Sequence, residues 1–155
     1  MSFQIHPLPA EDFAHLFAMS EKELAENRAI RMTVKEYPGT PCRVTLADAE
    51  PGETVILTNY THLPSNNPYH GSHAIYVREG KETAAPLVGE VPQVMATRML
   101  SLRAMDANQL FTHVEVVEGY ELGSALYRLF ADPNIAEVHI HYAGAGCFAA
   151  KATRA

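Results

Sequence analysis

The segment from residue 119 to residue 142 constrains the fold more than any other. Leu122, Leu126, Leu129 and Phe130 recur at helical spacing, which predicts an amphipathic helix over 119–131, stopped by Asp132-Pro133. Strict alternation follows over Ala136–Tyr142. Ala136, Val138, Ile140 and Tyr142 fall on one face and Glu137, His139 and His141 on the other, which is the period of a β-strand. Gly144-Ala-Gly146 turns the chain, and Cys147–Ala152 is expected to return as a last strand.

The remaining segments are read in the same way. Pro9-Ala-Glu-Asp opens a first helix with Phe13, Leu16 and Phe17 on one face, and Ser20-Glu-Lys-Glu23 is a capping box for a second. Pro38-Gly39 and Pro41 break the chain before a short strand at Arg43–Leu46. Thr54–Tyr60 and Ala74–Val77 read as strands on either side of a turn-rich loop, residues 61–72. Arg98–Met105 and His113–Val117 flank Asp106-Ala-Asn108 as a hairpin. These strands, the short N-terminal helices and one helix before the last strands predict an α+β fold on a mainly antiparallel sheet. That sheet is either open or barrel-like, since a long sheet must hide its edges. The 155 residues fit a single domain spanning 1–155.

Charge and hydropathy exclude several functions. The net charge is −6 and no Lys/Arg cluster exists, so the positive footprint that nucleic acid requires is missing. The N-terminus lacks a signal-peptide pattern and no apolar run approaches about 18 residues, so a cytoplasmic protein without a membrane segment is expected. Cys42 and Cys147 form no paired motif and are expected as thiols.

Five of the eight histidines fall in two patches, His62, His70 and His73, and then His139 and His141. Residues two apart on a strand point the same way at about 7 Å. His139 and His141 could therefore converge on one metal, with a third ligand from a neighbouring strand and Glu137 beside them. The alternative is a solvated polar face. No HExxH or paired-cysteine signature is present, and no metal ligand is assigned. His73 begins a strand after a glycine-containing loop, where a general base is well aimed. Ser72 points to the opposite face. His70-Gly71-Ser72 also resembles the His-Gly-Ser/Thr triplet of ADP-ribosyltransferases, although Tyr76 stands too close to be that family's downstream aromatic. Arg43, Arg78, Arg98 and Arg103 are candidates for an anion clamp.

Several blocks together carry a wider resemblance. Pro38–Val44, Asp48–Glu53 and Asn59-Tyr60 form one group, and Pro68-Tyr69 with Ser72–Glu79 a second. Ser101–Ala104 and His139 through Gly146–Ala150 complete the set. In order and spacing nearly the whole chain is similar to a bacterial family, domain of unknown function 1203. No biochemical role follows from that resemblance. The family motif is matched at Cys42, Arg43, Asn59, Tyr60, Tyr69, Ser72, His73, Arg103, His139 and Cys147. His70, Gly71 and His141 depart from it, the last standing where the family has an asparagine.

The expected site is a polar pocket for a small anionic ligand, built from loop 61–72, the start of the His73 strand and turn 143–147. His73 or His139 would be the catalytic base if the protein is an enzyme. Arg43, Tyr60, Tyr69, Ser72, Arg103 and Cys147 would bind the ligand; the cofactor and the oligomeric state are unspecified. The alternatives are a non-catalytic interaction module with structural histidines and a His-rich metal-binding protein.

Overall fold

A computed structural model describes residues 2–155. In chain order the strands are β1 (Phe3–His6), β2 (Ala29–Thr33), β3 (Pro41–Cys42), β4 (Ala47–Asp48), β5 (Thr54–Leu63), β6 (Gly71–Arg78), β7 (Leu87–Val88), β8 (Met99–Met105), β9 (Phe111–Glu118), β10 (Glu137–Tyr142) and β11 (Phe148–Arg154). The α-helices are α1 (Glu21–Glu26), α2 (Gln93–Ala96) and α3 (Leu122–Phe130). The chain forms two compact units. One comprises the chain to His6, Thr61–His73 and Ala85–Ala155; the other comprises Pro7–Tyr60 and Ala74–Ala84.

The first unit is built on a six-stranded sheet in the order β7-β1-β11-β10-β8-β9, antiparallel throughout. Helix α3 follows the predicted periodicity. Leu122, Leu126, Leu129 and Phe130 are buried, and the helix packs on β1, β9 and β11. Its last carbonyls need donors. Arg154 supplies them from the final strand, donating to the carbonyls of Phe130 (2.9 Å), Asp132 (2.7 Å) and Ile135 (2.6 Å). Gly119, just before the helix, is fixed by sterics: a Cβ there would lie 1.9 Å from the Met95 carbonyl oxygen.

The other sheet runs β2-β5-β6-β3-β4, with β3 parallel to β6. In the second unit Phe13, Leu16, Leu24, Ile56, Ile75 and Val77 form a common core. Helix α1 starts as its sequence requires: Ser20 Oγ accepts from the Glu23 N–H, and Glu23 accepts from the Ser20 N–H. Arg78 makes a two-point bond to Glu53, at 3.0 Å and 2.8 Å. That bond holds the Glu53 carboxyl below its ordinary pKa.

The α+β class, the antiparallel sheets, the capping box and the helix before the last strands are as expected. Four details differ. Neither sheet closes on itself, so the barrel-like alternative is excluded. The expected first helix is two 3-10 turns, Ala10–Asp12 and Ala14–Ala18. The strand expected at Arg43–Leu46 is a turn, in which Leu46 takes a φ of 52° and its N–H bonds the Cys42 carbonyl. Strand β5 continues to Leu63 and β6 begins at Gly71, which reduces the loop to residues 64–70.

Two substitutions test this account. Gly119→Ala drives a methyl into backbone atoms and should destabilise by more than about 3 kcal/mol in urea unfolding, or abolish soluble expression. Glu53→Gln should cost about 1.5 kcal/mol at pH 7. Because the folded carboxyl titrates below its unfolded value of 4.5, the Glu53 contribution is present above that pH and lost as pH falls through the folded value. The difference between wild type and Glu53→Gln should therefore shrink in acid.

Candidate functional site

Strand β10 lies between β11 and β8. Its even residues Val138 and Ile140 pair with Ala104 and Leu102 on an apolar face. Its odd residues Glu137, His139 and His141 share the other face, as the alternation predicts, but that face is not solvated. His139 is 3% exposed and His141 is fully buried. The covering groups come from both sides. Phe148 of β11 is registered opposite His141, and His62 arrives from β5.

The four rings form one cluster. His62 stacks on Phe148 with 5.5 Å between centroids and 3° between planes. His139 and His141 meet Phe148 edge-on at 5.5 Å and 5.7 Å. His62 lies 4.8 Å from the His141 ring and 6.2 Å from that of His139. One ring nitrogen from each histidine lies within 4.8 Å of the other two.

Hydrogen bonds assign the free nitrogens. His141 Nδ1–H donates to the Gly146 carbonyl at 2.9 Å, leaving Nε2 unprotonated. His139 Nε2 faces Glu137 Oε1 at 3.3 Å. The buried His141 Nε2, His139 Nδ1 and His62 Nδ1 have no hydrogen-bond partner among the described residues. Burial pushes the His62 pKa down to about 4 and that of His141 to about 3, with the Arg103 charge adding to both. Both rings are neutral at pH 7, the form that ligates metals. Glu137 is held below the ordinary carboxylate range, first by His139 and then also by Lys151, whose Nζ is 3.9 Å away.

The other expected site residues divide between the units. Arg103 of β8 is registered opposite His139 and so shares its face. His73 enters β6 partly buried. Ser72 is exposed, and Cys147 is a partly buried free thiol in the turn after β10. Tyr69 stacks on Phe111 with 3.9 Å between centroids. Its loop is tied to the β8–β9 turn, where the Asn67 side chain donates to the Gln109 carbonyl at 3.2 Å. His70 Nδ1 bonds the Ser65 carbonyl within the same loop, at 2.9 Å. Arg43 and Tyr60 belong to the second unit. Arg43 is buried there and donates to the Pro41 carbonyl, and Tyr60 packs on Phe13. Cys42, also in the second unit, is a free thiol.

Sequence reasoning assigned no role in the site to Phe148, and placed His62 with His70 and His73 rather than with His139. Gly71 is the local signal for His62. A Cβ at Gly71 would lie 3.3 Å from the His62 ring, so the glycine leaves room for that imidazole. Gly71→Ala should shift the His62 ring by a few tenths of an ångström. The check is a change in the His62 ring-nitrogen NMR shifts, with less than about 1 kcal/mol lost in unfolding.

No helix of the described residues is long and apolar enough to cross a membrane. No curated protein and no solved structure matches the chain. The family described as protein of unknown function (DUF1203) matches residues 39–154, and the chain belongs to that family.

Proposed function

We propose that this protein binds a divalent transition metal of the zinc class through His62, His139 and His141. The observation that carries the reading is that His62, His139 and His141 each bring one ring nitrogen within 4.8 Å of the others, and each has one buried ring nitrogen with no hydrogen-bond partner among the described residues. Zinc–nitrogen bonds of about 2.0–2.1 Å need ligand atoms about 3.4 Å apart in a tetrahedron. The outer contacts support the reading: a carboxylate faces His139 and a backbone carbonyl accepts from His141, the kind of partners that orient ligating imidazoles.

Three protein ligands leave a fourth position for water or a small molecule. A metal there lowers the pKa of bound water towards about 7 and polarises a bound oxygen. The reading keeps a small-molecule function and gives His139 a ligand's role in place of a base's. It also makes the site a property of this chain, because His141 departs from the family motif. The free thiols Cys42 and Cys147 support a cytoplasmic setting.

Metal-free protein titrated with zinc in a calorimeter should take up one equivalent and gain in Tm by mass action. His62→Ala and His141→Asn should each lose that uptake. Wild-type protein that binds no zinc, or variants that bind it as tightly, would end the reading. Glu137→Gln should keep the stoichiometry and weaken affinity about tenfold.

A further inference from the structure

We propose that Arg103 makes this centre an oxyanion site, with one oxygen of a small carboxylate or phosphate on the metal and another on the guanidinium. The inference rests on the metal reading above and names the class of ligand that fills the open position.

Three observations place the anion. Arg103 stands opposite His139 across the β8–β10 pair, so the two side chains leave the sheet on the same face with Cβ atoms about 5 Å apart. Arg103 is itself partly buried on that face. Among the described residues no carboxylate or carbonyl holds it. The nearest acid on that face, Glu137, is engaged by His139, Gln109 and Lys151.

A partly buried cation without a counter-ion is costly, and a metal ion beside it would add two more positive charges. Only an anion balances both. Guanidinium presents two parallel N–H groups, which suit the oxygens of a carboxylate or phosphate better than a halide. The face is also open on one side. Arg103 is followed across the sheet by Val114 of β9, which is 57% exposed, so a solute can approach from that edge.

Cobalt-loaded protein provides the test, because its visible spectrum reports the ligand at the open position. Acetate and inorganic phosphate, titrated separately at constant ionic strength, distinguish the two sources. At least one should change the wild-type spectrum saturably. Arg103→Met should bind cobalt within about threefold of wild type and bind the anion at least about tenfold more weakly. Arg103→Lys keeps the charge but loses the fork, and should fall between; it also serves if the methionine variant folds poorly. Cobalt uptake with a spectrum indifferent to both anions, or an equal anion response in Arg103→Met, overturns the Arg103 assignment alone. No cobalt uptake by wild type overturns the metal reading and this inference together.

Discussion

Burial of the histidine face of β10 is the constraint from which the site follows. A strand with neighbours on both sides satisfies its backbone through them, but its side chains depend on what covers each face. Here Phe148 and His62 cover the odd face, and water is excluded from His139 and His141. A buried polar atom left without a partner costs about 1–3 kcal/mol. Three such nitrogens in one cluster are a concentrated loss for a domain stable by about 5–15 kcal/mol. Native structures keep such groups where a ligand uses them, which supports the proposed cation.

The same burial sets the electrostatics. Desolvation holds His62 and His141 neutral at pH 7. The nearby ionised groups are then divided by function. Glu137 lies behind His139 and orients it, while Arg103 stands on the neighbouring strand with its guanidinium unclaimed. In the proposed centre, a negative group behind a ligand and a positive group beside the open position would play opposite roles on one sheet face. Register alone keeps them apart.

The parts of the fold legible in the sequence were those encoded locally. Helix α3, the β8–β9 hairpin, the capping box and the inside-out order of β10 each depend on residues a few positions apart. What stayed hidden depends on distant partners. Four residues, Phe3–His6, gain strand character by pairing with Lys151–Arg154 on one side and Leu87-Val88 on the other. Val44 and Thr45 favour strands, yet the bond from Leu46 back to Cys42 makes their segment a turn. Alternation showed that Glu137, His139 and His141 share a face but not what lies over it, hence the expectation of a solvated surface. His62 could be named as a histidine near a loop, but not as a partner of His141, since nothing local links them.

Strand β10 also bears on how reliably the sheet assembles. A slip of one residue would put Val138 and Ile140 on the histidine face and their polar neighbours in the apolar core, so the pattern forbids it. A slip of two keeps every side chain on its proper face, and hydrophobic pattern alone does not oppose it. The register shift between Ile140 and His141 against β11 breaks that translational equivalence. Moving β10 by two residues would take the irregularity away from Phe148 and place Glu137 or Ala143 where an imidazole belongs. A local defect in the ladder thus acts as an alignment mark, selecting one of several hydrophobically equivalent sheets.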